Sequence, residues 1–126
     1  MKKFLCAVLF VLVLAGLSYA AEDAGTVSLR DLAAQAKNSL KFERLYEDKY
    51  VTVTGCEVQN IEADGNDYVL RAWEGTNLFL IFFRFTAANA EQIADLDKGD
   101  VVTIRGLVRG SHNDKWVTLY NCEIIE

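Results

Sequence analysis

A strand pattern begins at Tyr50, and its register slips by one residue at Gly55. Alternate residues are apolar up to Val53, whereas the apolar positions beyond the glycine start again at Cys56. Alternation with a period of two is typical of a strand with one buried face. A slip at a glycine indicates a β-bulge, which bends the strand. Because a bent strand can serve two sides of a barrel, this feature favours a small closed barrel.

Four further strand patterns follow, and they predict the architecture of the domain. Gly106 interrupts the fourth strand of the series, and a second register slip near Asn121 interrupts the fifth. A short helix is predicted from Asn89 to Lys98, between the third and fourth strands. This order of elements predicts a mainly β fold, a five-stranded OB-fold barrel of about 49–126. After the first strand, the predicted strands are 67–73, 78–85, 100–108 and 116–125.

An amphipathic α-helix is predicted over about 28–42, before the barrel. Ser28 can cap its first turn, and Asp31 follows three positions later. The apolar face that this helix must bury consists of residues at helical spacing: Leu29, Leu32, Ala33, Ala36 and Leu40.

The first twenty residues have the pattern of an export signal. Lys2 and Lys3 precede an almost wholly apolar stretch over 4–17, and small residues stand at the positions that a signal peptidase reads before Ala20. We expect cleavage after Ala20, a mature single domain of residues 21–126, and a periplasmic location. A retained anchor is the weaker alternative, because the apolar stretch is shorter than the roughly 20 residues that a span requires.

Charge bears on the class of partner. The formal net charge is −5, and it becomes −7 when Lys2 and Lys3 leave with the signal peptide. An acidic domain repels nucleic-acid phosphates and anionic membrane surfaces at long range, and the remaining basic residues are scattered along the chain. We therefore expect an envelope protein or peptide as partner rather than nucleic acid, and no stable membrane anchor after cleavage.

Cys56 and Cys122 remain after cleavage, and an oxidising compartment would allow them to form a disulfide. The bridge would close a loop of 66 residues. In the chain-entropy model, a disulfide that closes a loop of this length stabilises the fold by about 4 kcal/mol. Two buried free thiols are the alternative, since free cysteine behaves as a small hydrophobe. A CxxC motif is absent, so thiol chemistry is not expected.

Three segments carry a family resemblance: YEDKYVTVTGCEVQNI, LDKGDVVTIRGLVRG and VTLYNCEII. With the preceding helix and export signal, the chain resembles the tRNA-anti-like OB-fold family of small exported bacterial proteins from about Leu29 to Ile125. The resemblance implies the fold more than an activity, because one fold hosts many functions. Family members often carry a cysteine in the third strand, where this chain has Phe82 and Phe83. Cys56 is then the one mature candidate to pair with Cys122.

The second and third predicted strands define a candidate ligand-binding surface. Alternation places Phe79, Ile81, Phe83 and Phe85 of one strand inside the barrel, with Tyr68, Leu70 and Ala72 of the other. The N-terminal helix could cover the opposite, outward face, or that face could be an open platform for an extended ligand. In the second case a protein or peptide is the expected ligand, and single-stranded nucleic acid or an oligosaccharide is the alternative. The predicted binding residues are Arg71, Trp73, Phe82 and Arg84.

Catalytic and metal-binding patterns are weak. His112 is the single histidine of the chain and lies in a polar loop, where a solvated role is a better interpretation than a hydrolase centre. Glu62, Asp64 and Asp67 lack the spacing of an EF-hand loop. We therefore expect a non-catalytic binding protein with no catalytic residues, no metal and no cofactor.

Overall fold

The computed structural model describes residues 21–73, 75, 80–109 and 116–125. The export signal, Leu78, Phe79 and His112 lie outside these residues, so the predictions made for them stay predictions. The described elements in chain order are β1 (Glu22–Ser28), α1 (Leu29–Ala36), α2 (Ser39–Tyr46), β2 (Lys49–Asp64), β3 (Asp67–Trp73), β4 (Leu80–Phe85), a 3₁₀ helix (Ala87–Gln92), β5 (Val101–Val108) and β6 (Trp116–Ile124).

Five of the described strands close into a ring. The strand order is β1-β2-β3-β4-β6-β5, and β5 pairs back onto β2, which closes the barrel. β4 and β6 run parallel, whereas the other neighbours within the ring are antiparallel. This arrangement confirms the predicted five-stranded OB-fold barrel, and its parallel pair places β6 directly beside β4.

Bulges bend the barrel strands at Gly55 and near Asn121, as predicted, whereas Gly106 lies opposite a bulge rather than within one. Gly55 has a φ of 70°, and the register between β2 and β5 shifts between Val53 and Cys56. The register between β5 and β6 also shifts, but the extra residue lies in β6, where Gly106 of β5 faces Asn121 and Cys122 and the φ of Asn121 is 52°. The bends allow the 16 residues of β2 to pair with β5 along one half and with β3 along the other.

The inward faces of β3 and β4 form much of the core. Among the predicted inward residues that the structure describes, Tyr68 is the exception, with 38% of its surface exposed. It pairs with Ala63 next to the β2–β3 turn, so it lies beyond the end of the packed interior. The inward residues of β4 that the structure describes are fully buried, as predicted: Ile81, Phe83 and Phe85.

The N-terminal helical segment is two helices, and the prediction of one helix over 28–42 was wrong. Ser28 caps α1 by accepting a hydrogen bond from the Asp31 backbone N–H at 3.1 Å, as predicted. The first helix ends at Ala36. A second helix then begins, because the Asn38 side chain accepts a 3.1 Å hydrogen bond from Lys41 N and caps it. Leu40 consequently turns outward and is 62% exposed. The residues that these helices bury are Leu29, Leu32, Ala33, Ala36, Phe42 and Tyr46.

β1 was not predicted, because the segment EDAGTVS lacks sustained alternation. It pairs in parallel with the first half of β2, with a register shift between Asp23 and Thr26. Arg105 of β5 stabilises this addition: its guanidinium lies 4.1 Å from the ring centre of Tyr50 and 3.4 Å from the Asp23 carboxylate. β1 is therefore held by contacts with distant parts of the chain.

The short helix between β4 and β5 is confirmed as an element, although it is a 3₁₀ helix and ends at Gln92 rather than Lys98. The Asn89 side chain donates a 2.9 Å hydrogen bond to the Cys122 carbonyl. The Gln92 side-chain oxygen accepts a 2.7 Å bond from Ile124 N. These two bonds join the helix to β6 at one end of the barrel.

Candidate ligand-binding face

Three adjacent strands present their outward side chains on one surface, which we call the outer face. Strand register sets its rows: Arg71 of β3 is opposite Phe82 of β4, which is in turn opposite Thr118 of β6. Side chains directly across neighbouring strands lie about 5 Å apart, so a row can contact one ligand. The outer face consists of Val69, Arg71 and Trp73 from β3, Leu80, Phe82 and Arg84 from β4, and Trp116, Thr118 and Tyr120 from β6.

The four predicted binding residues all lie on the outer face. Arg71 and Phe82 pair directly in its central row. Trp73, at one end of β3, exposes 37% of its surface. Arg84 lies toward the other end of β4, opposite Val69. Placement on a shared face is thus as expected, and binding by these residues stays a prediction.

Two aromatic residues of the outer face were missed by the sequence analysis. Trp116 and Tyr120 of β6 expose 38% and 37% of their surfaces. They reach this face because β6 pairs in parallel with β4, starting from Leu80 opposite Trp116. Alternation in WVTLY indicated an outward direction for both side chains, but only the strand order brings them beside Phe82.

The N-terminal helices pack chiefly on β1 and β2, and they leave the outer face open. The start of α1 does approach one end of it. There Leu29 and Arg30 join Glu57, Trp73 and other residues around a 390 Å³ cavity. The N-terminal helix therefore covers the outer face only at its border, near Trp73.

Arg84 is engaged in ion pairs at the other end of the outer face. Its Nη1 donates a 2.8 Å hydrogen bond to Asp64 and its Nη2 a 3.3 Å bond to Asp67. The hydrogen bond to Asp64 is the main cause of a raised Arg84 pKa. Two carboxylates thus neutralise this guanidinium and tie β4 to the β2–β3 turn.

Arg71 differs from Arg84, because no described residue forms an ion pair with it. Its Nε is buried and has no hydrogen-bond partner within the described part of the chain. Buried donors in native proteins are nearly always paired with protein, water or ligand. Arg71 is therefore the cation of the outer face that no described carboxylate neutralises.

A 380 Å³ cavity lies over Phe82 and Arg84. Its lining combines an aromatic ring, the Thr118 and Tyr120 hydroxyls, and the acidic residues Glu62 and Asp64. This mixture can hold an uncharged polar group or a cation against the ring. It is poorly suited to a phosphate, because its described lining has two carboxylates and one guanidinium, and that guanidinium is already paired with Asp64.

The two cysteines are buried and, in the structure, free thiols. Burial raises the pKa of the Cys56 thiol to about 12 and raises that of Cys122 as well. Such thiols are poor nucleophiles at neutral pH. The predicted bridge between them stays a prediction.

Two further observations concern metal binding and membrane insertion. Across the described residues, no group of three or more His, Cys, Asp or Glu side chains is arranged to hold a metal ion. No helix in that same part of the chain is long and apolar enough to cross a membrane.

Comparison with solved structures identifies two related folds. The first is a lipoprotein from Klebsiella pneumoniae, named for a proposed nucleic-acid-binding activity. It matches with a TM-score of 0.65 and 22% identity, over 80% of this chain and 91% of that one. The second is an OBody bound to hen egg-white lysozyme, with a TM-score of 0.53 and 17% identity, over 75% of this chain and 92% of that one. Both likenesses concern the fold.

Family comparison agrees with the barrel. No curated protein matches this chain. The tRNA_anti-like family model, in contrast, matches residues 1–124, which include every described strand. With the strand order of an OB fold established independently, the chain belongs to the tRNA_anti-like family.

Proposed function

We propose that this protein is an exported, non-catalytic binding module whose outer face holds a segment of an envelope protein or peptide. The observation that carries the proposal is the open outer face itself. It exposes Trp73, Trp116 and Tyr120 around the half-buried Phe82. Aromatic residues are enriched in the energetically important parts of protein interfaces, and soluble monomers rarely leave such a cluster uncovered.

Electrostatics supports a protein or peptide over a polyanion. Arg84 is neutralised by Asp64 and Asp67, which leaves Arg71 as the one cation of the described outer face that no described carboxylate neutralises. Nucleic-acid binding depends on several cations that neutralise phosphates and release counterions. One guanidinium beside aromatic rings suits a carboxylate or a backbone carbonyl of a peptide instead.

Export of the protein is supported by two observations. The first twenty residues have the charge, apolar stretch and small residues of a signal peptide, with cleavage after Ala20. The Klebsiella pneumoniae structure with the same fold is a lipoprotein. We place the protein in the periplasm on these grounds, and the mature domain then begins at residue 21.

Single-stranded nucleic acid or an oligosaccharide is the second candidate ligand. Stacked aromatic rings with a guanidinium hold bases and sugars as well as peptide side chains. The name of the Klebsiella pneumoniae lipoprotein points in the nucleic-acid direction. Nucleic acid would require several cations to neutralise its phosphates, and the described outer face does not provide them. This candidate therefore ranks below a protein ligand.

A paired capture experiment tests the proposal. Purified protein is immobilised and exposed to an envelope extract, and bound proteins are quantified for the parent chain, Trp73→Ala and Leu40→Ala. We expect Trp73→Ala to lose a partner that the parent retains, because truncation of an aromatic residue on which an interface depends typically costs about 2 kcal/mol or more. Leu40→Ala is the matched control, since Leu40 is a large apolar residue exposed on α2.

Oligonucleotide binding separates the two candidates. A fluorescent oligothymidine is titrated with protein at low and at high salt, and its anisotropy is recorded. The protein-ligand proposal predicts no salt-sensitive binding. Tight binding that weakens steeply with salt and is lost in Trp73→Ala would replace it with the nucleic-acid candidate.

A further inference from the structure

A third cavity lies at the end of the barrel and adjoins the outer face at Glu62 and Ala63, which also line the 380 Å³ cavity. It has a volume of 430 Å³ and lies between the β2–β3 hairpin and the segment that contains the 3₁₀ helix. Its floor is apolar, with Ile61 and Tyr68 on the hairpin side and Ile93 and Leu96 on the other. A volume of this size accommodates a large apolar side chain or a small ligand.

The rim of this cavity is acidic. Glu62 and Glu91 border it, and the described residues of its lining include no lysine, arginine or histidine. Both glutamates are exposed, and neither forms an ion pair with a described residue. Carboxylates on either side of an apolar floor are complementary to a ligand that carries positive charges next to apolar groups.

The backbone of β2 adds a directional feature. β3 pairs with β2 up to Asp64, whereas β5 pairs with the opposite edge only as far as Glu57. Val58 still exchanges backbone hydrogen bonds with Gly99 and Asp100. Beyond Val58 no described strand pairs with that edge.

The cavity borders the unpaired part of β2. Three consecutive β2 residues, Ile61 to Ala63, line it. Successive side chains of a strand point to opposite faces of the sheet. A cavity that contacts three consecutive residues of β2 therefore also reaches the backbone edge of that strand. An unpaired strand edge is a template for the addition of an extended peptide.

We infer that this cavity, which we call the end groove, binds an extended peptide segment in which an apolar side chain is flanked by lysine or arginine. The peptide adds to the open edge of β2 from about 60 to 64. Its apolar side chain enters the space between Ile61 and Leu96, and its cations lie beside Glu62 and Glu91. This site shares Glu62 and Ala63 with the border of the 380 Å³ cavity, whereas its apolar floor lies outside the outer face, and it does not depend on the function proposed for that face.

Isotope-labelled protein, purified as the cell produces it, is titrated with the peptide Lys-Ile-Lys-Phe-Lys-Ile and followed by amide chemical shifts. We expect shifts over 60–68 and 90–96, with little change along the outward rows of β3, β4 and β6. The acidic peptide Glu-Ile-Glu-Phe-Glu-Ile is not expected to bind. A basic peptide with N-methyl groups along one edge is expected to bind weakly, because it cannot form the strand ladder.

Charge reversal provides the matched variants. Glu91→Lys should weaken the basic peptide by about tenfold, the effect of reversing one charge a few Å from a cation at a semi-exposed site. Glu43→Lys changes the net charge equally on α2 and should leave the affinity unchanged. The inference would be overturned if Glu91→Lys and Glu43→Lys weakened the basic peptide equally. It would also be overturned if the acidic or N-methylated peptide bound as tightly as the basic one, or if the chemical-shift changes were confined to the outer face. The last result would leave the proposed function standing.

Discussion

The guanidinium of Arg84 donates a 2.8 Å hydrogen bond to the carboxylate of Asp64, which joins β4 to the end of β2. A second bond to Asp67 spans the turn between β2 and β3. One arginine thus contacts both ends of this turn. Its charge is directed into the protein's own carboxylates, so we expect Arg84 to stabilise the outer face rather than to contact a ligand.

Arg84→Gln is expected to leave partner capture unchanged and to reduce the free energy of unfolding only slightly. The Asp64 partner is largely exposed, and such pairs contribute about 0.2–1 kcal/mol. Urea denaturation measures the stability change, and the envelope-capture experiment measures binding. A large loss of captured partner in Arg84→Gln, with stability intact, would contradict the structural role.

Arg71→Gln is expected to show the opposite behaviour. A hydrogen bond from a charged donor to a ligand is worth about 1.5–3 kcal/mol, so partner affinity should fall while stability changes little. Arg71→Lys should restore binding only partly, because an ammonium group lacks the planar pair of donors. Titration of the captured partner measures both variants, and an unchanged affinity in Arg71→Gln would remove this residue from the site.

Gly106→Ala is expected to destabilise the barrel by about 1–3 kcal/mol through overpacking. A Cβ atom at this position would lie 2.6 Å from Cys122 Sγ and 3.0 Å from Leu119 Cβ. In the Cys122→Ala background, the same substitution should cost less, because the closest clash is absent. Urea denaturation of the four chains measures this coupling.

Gly55→Ala is the control for that series. A Cβ atom there has no neighbour within 4 Å, and its cost arises from the φ of 70° alone. It is therefore expected to be insensitive to the Cys122→Ala background. If that background relieved Gly55→Ala as much as Gly106→Ala, close packing of Gly106 against β6 would be wrong.

Alkaline pH is expected to destabilise the protein when both thiols are free. Burial raises the pKa of Cys56 to about 12. An unfolded cysteine has a pKa of about 8.5. The stabilisation that the buried, protonated thiol contributes is therefore complete below about pH 8.5. It is lost as the pH rises toward the pKa of Cys56 in the folded protein. Urea denaturation between neutral and alkaline pH should show a steeper loss for the parent than for the chain with both cysteines replaced by alanine.

The same cysteines provide the test of the predicted disulfide. Mass spectrometry of non-reduced protein isolated from the envelope shows directly whether two hydrogens are missing. An oxidised Cys56–Cys122 pair would abolish the difference in alkaline stability until a reductant is added. Two free thiols in that sample would refute the bridge.

Local sequence patterns were sufficient for the barrel strands. The register slip at Gly55 and the alternation that buries Phe83 both depend on neighbouring residues along one strand, and the structure shows both. The capping signal at Ser28 was likewise readable. Asn38 provides a comparable capping signal for α2, whereas apolar spacing alone predicts one helix over 28–42.

Long-range pairing explains what the sequence analysis missed. β1 is stabilised by parallel pairing with β2 and by the contact of Arg105 with Asp23, which is 82 positions away. Trp116 joins the outer face only through the parallel alignment of β6 with β4. Neither relationship leaves a periodic pattern in a single segment, so the candidate surface was predicted with two of its three strands.

Site-specific photocrosslinking tests the binding role of the outer face most directly. A photoreactive benzoylphenylalanine is placed at position 82, 73 or 40 of the full chain in the cells that produce it, and adducts are identified after irradiation. The account predicts protein adducts at Phe82 and Trp73 and none at Leu40. Nucleic-acid adducts at Phe82, or protein adducts that are equally abundant at Leu40, would contradict it.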